Sequence, residues 1–274
     1  MAEQKNYALV TGASSGIGLA FSGELASLGY PLLMVSNEEE RLNQAAVELA
    51  SRFSVKTVPL YMDLARADSA KDLFHFCETN GINVEILINN AGIFFFKDIV
   101  DTTPGLLETT LYLHIITSAM LCRLFAEKAI REGIKSYIIN ISSIAAWMMM
   151  PGITLYSSTK SFIRGFSRAM RHETLKRGVS ITTICPGAVA TGLYKLPEKY
   201  LKLGVRLGII LPPERLARLS LKKMYRHKAE FIPGGLLNRL FILLIIALPD
   251  WLVRLIKKKI DRKFNKTVAP GETA

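Results

Sequence analysis

The chain has 274 residues, half of them hydrophobic, and 35 Lys/Arg against 23 Asp/Glu leave a net charge of +12. That length supports one large core in a single domain. Cys77, Cys122 and Cys185 are far apart, with neither metal-ligand nor redox-pair spacing, so no metal site is expected and a reduced, cytoplasmic setting fits.

The first strand-like run, Tyr7–Val10, begins almost at once and leaves no room for a charged and then apolar secretory signal. Further short apolar runs follow at Leu32–Val35, Thr57–Tyr61, Ile86–Ile88, Ser136–Ile141 and Ser180–Cys185. Between them lie helix-like stretches: Gly16–Leu28, Glu39–Arg52, Ser69–Thr79, Leu106–Glu132 and Thr159–Arg177. Strands alternating with helices predict right-handed crossovers and a doubly wound, Rossmann-type α/β domain built on a parallel sheet. Ligands are then expected at the carboxyl ends of its strands.

After Pro186-Gly187 the pattern loosens, and residues 191–213 hold six glycines and prolines among leucines, tyrosines and lysines. This stretch is long for a mere connection. The main domain is placed at residues 1–235 and a helical tail at 236–274.

The charge is uneven: residues 1–193 hold 17 Lys/Arg and 17 Asp/Glu, whereas 194–274 hold 18 and 6. Basic residues interleaved with Leu, Ile, Val and Trp favour an anionic lipid surface over nucleic acid as the tail's partner. Leu240–Leu248 is an unbroken run of nine apolar residues ended by Pro249, far short of the roughly 20 that span a bilayer. Asp250 is expected to cap a second helix with Leu252, Leu255, Ile256 and Ile260 along one face. Arg254, Lys257 and Lys258 then lie off that face, and Lys259 and Lys263 within it. Packing of the tail on the body, or on a second copy in a homo-oligomer, is the other reading.

Four motifs carry the chemistry. Thr11-Gly12-Ala13-Ser14-Ser15-Gly16-Ile17-Gly18 joins a strand to a helix, where glycines let the backbone approach a pyrophosphate at the helix amino end. Asn89-Asn90-Ala91-Gly92 follows a later strand, Ser143 lies further on, and Tyr156 and Lys160 stand four residues apart on a predicted helix. This set, in this order and spacing, resembles the short-chain dehydrogenase/reductase family from about Tyr7 to about Gly235. The resemblance implies a nicotinamide-dependent oxidoreductase, with residues 191–213 as a mobile lid over the substrate.

Under that resemblance Tyr156 is the proton donor or acceptor, and Lys160 favours its phenolate and holds the nicotinamide ribose. Ser143 donates to the substrate oxygen. Gly12, Ser14, Ser15, Gly16, Ile17 and Gly18 surround the pyrophosphate, while Asp63 and Leu64 lie near the adenine. Asn90, Ala91 and Gly92 line the adenosine side of the cleft. Pro186, Gly187, Val189 and Thr191 hold the carboxamide. Ser36 and Asn37 end the second strand, where an acid would favour NAD and an arginine NADP. Neither is present. Glu38–Glu40 would repel a phosphate if they pointed inward, but can equally begin an exposed helix. NAD and NADP both stay open.

One position departs from the family. Where many members have an asparagine supporting a water relay to the lysine, this chain has Leu113-His114-Ile115. His114 can relay protons or be a hydrogen-bonded core histidine. Phe94-Phe95-Phe96 and Trp147-Met148-Met149-Met150 suit a lipophilic ketone such as a steroid, long acyl chain or sphingoid. Two rivals stand beside this expectation. One is a non-catalytic dinucleotide sensor or scaffold. The other is a soluble reductase of small polar carbonyls.

Overall fold

The computed structural model describes residues 6–148, 150–191, 205, 210–255 and 257–258. Its strands are β1 (Tyr7–Thr11), β2 (Leu32–Ser36), β3 (Thr57–Tyr61), β4 (Val84–Asn89), β5 (Ser136–Ile141), β6 (Val179–Ile184) and β7 (Glu230–Phe231). All pair in parallel, in the order β3-β2-β1-β4-β5-β6-β7. Pro59 lies in β3, an edge strand, where a missing backbone donor breaks no ladder on the outer side.

The helices are α1 (Gly16–Ser27), α2 (Glu39–Phe53), α3 (Ser69–Thr79), α4 (Pro104–Leu111), α5 (Ser118–Glu132), α6 (Thr154–Thr174), α7 (Pro213–Tyr225) and α8 (Gly235–Ile246). They cover both faces of the sheet, so its central strands are buried on both sides. In β1, Ala8 and Val10 enter one core with Phe21, Leu42 and Leu216, while Leu9 enters the other with Leu73, Leu121 and Phe125. Three buried thiols sit in this interior, and burial pushes Cys77, Cys122 and Cys185 up to about 12.

Sequence periodicity places most elements to within a residue or two, but three differ. The long helix expected over Leu106–Glu132 is interrupted by a π-helical turn, Tyr112–Thr117, between α4 and α5. Helix α6 starts at Thr154 rather than Thr159, which puts Tyr156 in its first turn. Helix α7 and strand β7 fall in a stretch that sequence reading left unassigned, because β7 is only two residues long and α7 follows the loosened segment. Most of the expected lid, residues 192–204 and 206–209, lies outside the described residues.

In the tail, Pro249 takes the cap position expected of Asp250, its carbonyl accepting from the Leu252 and Val253 N–H groups, and residues 250–255 are helical. The expected apolar face is divided. Leu252 is half-buried, whereas Leu255 is exposed together with Trp251, Arg254 and Lys258. Ile256, Ile260, Lys259 and Lys263 lie outside the described residues.

Candidate active site

Strand β1 has β2 on one side and β4 on the other, so the crossovers leave in opposite directions and open a crevice at the carboxyl ends of β1 and β4. Thr11 closes its floor. The hydroxyl donates to the Ile88 carbonyl (3.2 Å) and accepts from the Asn90 and Ala91 amides (2.9 and 3.0 Å). Asn90 Nδ2 returns a bond to the Thr11 carbonyl (2.9 Å). The chain here is so close that a Cβ on Gly18 would lie 2.0 Å from the Gly12 carbonyl oxygen, and Gly12 itself has φ +65°.

A cleft of about 830 Å³ runs along this crevice. It is lined by Gly12, Ser14, Ser15, Gly16 and Ile17, by Asn37, Asp63 and Leu64, and by Asn90, Ala91 and Gly92. Ser143, Tyr156, Lys160, Pro186, Gly187, Val189 and Thr191 complete the wall. Residues scattered over 180 positions of chain thus meet around one cavity. At its amino end Ser15 makes no side-chain cap on α1, and the first turn carries no acidic residue. The first amides of the helix therefore present an uncompensated positive dipole to the cleft. That donor set fits a dinucleotide pyrophosphate.

At the other end, Ser143 is extended, and its Oγ accepts from the Ala145 amide (3.1 Å). Its own hydroxyl proton can then turn towards the cleft. Tyr156 is buried edge-on against Phe94, with ring centroids 4.9 Å apart at 86°. Lys160 is buried, donates to the Ile141 carbonyl (3.0 Å), and has its ammonium 5.6 Å from the Tyr156 ring centre. Burial lowers its pKa from the ordinary lysine value to about 8. Ser142 donates to the Lys160 carbonyl (2.8 Å), tying α6 to the end of β5.

His114 does not line the cleft; it stands behind it. The π turn, with one extra residue in its hydrogen-bonded ring, turns both His114 and Thr117 inward. Thr117 donates to the Leu64 carbonyl (2.8 Å). His114, 1% exposed, accepts at Nε2 from the Ile93 amide (2.9 Å). The ring proton is therefore on Nδ1, which meets Thr159 Oγ1 at 2.9 Å, and Thr159 donates onward to the Tyr156 carbonyl (2.9 Å). Both ring nitrogens are engaged by groups that do not titrate. Burial, with the Lys160 charge second, holds the imidazole well below its usual pKa. Of the two readings, these bonds fit the core histidine.

The family model for short chain dehydrogenases matches residues 6–199. The chain belongs to that family. It is accordingly an oxidoreductase that moves hydride between a nicotinamide dinucleotide, NAD or NADP, and a CH–OH or carbonyl carbon. Among relatives, the chain is 29% identical over 250 residues to the zebrafish (Danio rerio) very-long-chain 3-oxoacyl-CoA reductase-B. The match covers 85% of this chain and 78% of that protein. The fold is shared with a 7β-hydroxysteroid dehydrogenase (TM-score 0.82, 24% identity, 93% of this chain and 97% of the other). It is shared also with a Sphingobium yanoikuyae short-chain dehydrogenase solved with NADPH (TM-score 0.76, 22% identity, 98% and 99%).

Several contacts of the site have no local signal in the sequence. Glu38 turns inward, accepting from Ser14 Oγ (2.7 Å) while Ser14 accepts from Ser36 Oγ (2.9 Å). Its other oxygen pairs with Arg41 (3.1 Å). Glu38 and Arg41 face the cleft beside Ser14 and Asn37, while Glu39 and Glu40 begin the exposed first turn of α2, so each reading of the acidic run describes part of it. Ile93, Leu113 and Ser142 also line the cavity, and Thr159 supports it from behind. Ile93, Ser142 and Thr159 each stand one residue from a motif position, and that adjacency is the signal that could have found them.

Proposed function

We propose that the chain interconverts a lipophilic ketone and its secondary alcohol, with Tyr156 as proton donor and acceptor. The observation that carries this is a buried tyrosine and lysine in one cleft, with the aromatic side chains of Phe94, Phe96 and Trp147 on the segments that flank it. Phe94 packs on the Tyr156 ring, and Phe96 closes over Gly152, where a Cβ would lie 2.3 Å from the ring. Trp147 is held by the Arg164 guanidinium, 4.1 Å above its ring centre, and Arg164 is anchored by Glu230 (2.6 Å).

Ser14, Ser15 and the α1 amides would hold the dinucleotide phosphates, and Lys160 and Thr191 would hold its nicotinamide half. When bound, the nicotinamide supplies or accepts the hydride. In reduction, the Tyr156 hydroxyl gives its proton to the carbonyl oxygen. Ser143 donates a hydrogen bond to the same oxygen as negative charge grows there. The Lys160 ammonium favours the phenolate left on Tyr156. Oxidation runs the same proton backwards.

The name of the zebrafish relative favours a long 3-oxoacyl thioester among lipophilic ketones. The apolar, basic tail suits work at the cytoplasmic surface of an anionic membrane. The test is oxidation of NADH and NADPH with steroid ketones, 3-ketoacyl thioesters, 3-ketosphinganine and small aldehydes. Turnover of a lipophilic ketone, lost in Tyr156→Phe, is expected. Turnover confined to small aldehydes would favour the polar-carbonyl reading, and turnover that survives in the variant would remove Tyr156 from its role.

A further inference from the structure

The two tail helices expose their apolar side chains while their other faces pack beside the substrate end of the cleft. Leu240, Leu243 and Leu244 of α8, with Ala247 at its C-terminal cap, follow the spacing of a single helix face and are exposed, Leu243 by 62% and Leu244 by 68%. The opposite face, with Ile242 buried, packs on residues 144–147, and Asn238 Nδ2 lies 3.5 Å from where a Cβ on Gly187 would stand. The same spacing recurs at Trp251, Arg254, Leu255 and Lys258, all exposed. Here too the other side faces the body: Lys257 pairs with Asp98 at 2.5 Å. Asp98 lies in the segment leading from Phe94 to the exposed Ile99 and Val100. The tail therefore packs on two segments that flank the cleft, residues 144–147 directly after Ser143 and residues 94–100 directly after Ile93.

We propose that this outward face seats on an anionic lipid surface and holds the substrate end of the cleft against it, so that an amphiphilic ketone enters from the bilayer. The second half of the proposal rests on the lipophilic-ketone reading; the first does not. Charge decides the occupant. Arg239 flanks the leucine face, Arg254 and Lys258 stand on the outward face with Trp251 and Leu255, and the sequence adds Lys259, Arg262, Lys263 and Lys266, against Asp250, Asp261 and Glu272. A second copy would meet the same positive charge, whereas an anionic leaflet compensates it. Each basic residue near such a leaflet raises partitioning about five-fold. Trp and Arg/Lys on one narrow face can sit at the headgroup level while the leucines enter the acyl region.

The experiment is flotation of the full chain with vesicles of phosphatidylcholine alone or mixed with phosphatidylglycerol, at low and high salt. It is paired with turnover of a short water-soluble ketone and of a long-chain ketone embedded in the vesicles. We expect at least ten-fold stronger binding to the anionic vesicles, weakened by salt. In Leu243→Asp/Leu244→Asp, vesicle binding and turnover of the embedded ketone should fall ten-fold or more, with turnover of the soluble ketone unchanged. Unaltered vesicle binding in that variant overturns the proposal. So does an oligomer that the variant dissociates while neither protein binds vesicles, which would make the face a contact between copies. If vesicles bind as expected but no ketone turns over, the docking surface stands and the lipophilic-ketone reading fails.

Discussion

Replacing His114 separates a clamp from a proton relay, because its two hydrogen bonds can be removed one at a time. Glutamine can keep an acceptor near Nε2 for the Ile93 amide but offers no donor at the Nδ1 position. Asparagine keeps a donor for Thr159 and abandons Ile93. Leaving the Ile93 N–H unpaired costs about 1–3 kcal/mol, whereas losing the neutral Thr159 bond costs about 0.5–1.5 kcal/mol. At roughly 2–4 °C per kcal/mol for a chain of this size, His114→Asn should melt roughly 4–8 °C lower and His114→Gln roughly 2–4 °C lower.

A second signature is the pH dependence. Native His114 is held neutral while the unfolded imidazole takes up a proton below its ordinary value of about 6.5. The unfolded state then binds more protons, so stability is complete above that pH and falls as the pH drops below it. The slope approaches about 1.4 kcal/mol per pH unit for the one group. Urea midpoints from pH 5 to 8 should show this acid loss in the wild type and a shallower one in His114→Gln. Equal slopes in the two proteins would refute the neutral clamp. A glutamine variant of unchanged stability that loses a limb of the pH–rate profile near neutrality would establish the relay.

Ketone reduction should decline as the pH rises through about 8, where Lys160 loses the charge that favours the Tyr156 phenolate; a rate level to pH 9.5 would oppose that role. Glu38→Ala should raise the NADPH-to-NADH ratio of kcat/KM and Arg41→Ala lower it. One unit charge at about 4 Å is worth about 1–4 kcal/mol between water and a surface cleft, so each ratio should move roughly five-fold or more. Ratios unmoved by either change would place the pair away from the cofactor ribose. Arg171 is buried and donates to Ser180 Oγ and to the carbonyls of Ile181 and His227, joining α6 to β6 and the approach to β7. Arg171→Met strands both carbonyls, and its urea-derived stability should fall by about 2–4 kcal/mol; a change under about 1 kcal/mol would contradict this account.

Much of the fold was legible because its signals are local. Runs such as Leu32–Val35 and Ser136–Ile141 alternate with amphipathic stretches, and that alone implies crossovers on a parallel sheet. The glycine spacing of residues 12–18 and the Tyr156–Lys160 pair locate the cleft, since strand ends and helix starts must meet at the point where the winding reverses. The tertiary structure decided the rest. No local pattern in Leu113-His114-Ile115 reveals a π turn, or that the imidazole would meet Ile93 and Thr159, which lie 21 and 45 residues away. An acidic run at a helix start does not show which carboxylate turns inward; Glu38 does so because Ser14 comes within 2.7 Å. The tail's 3.6-residue period permits several faces. Which one is buried depends on contacts such as Lys257 with Asp98, 159 residues apart, since the direction a side chain takes is set by the surfaces that fold against it.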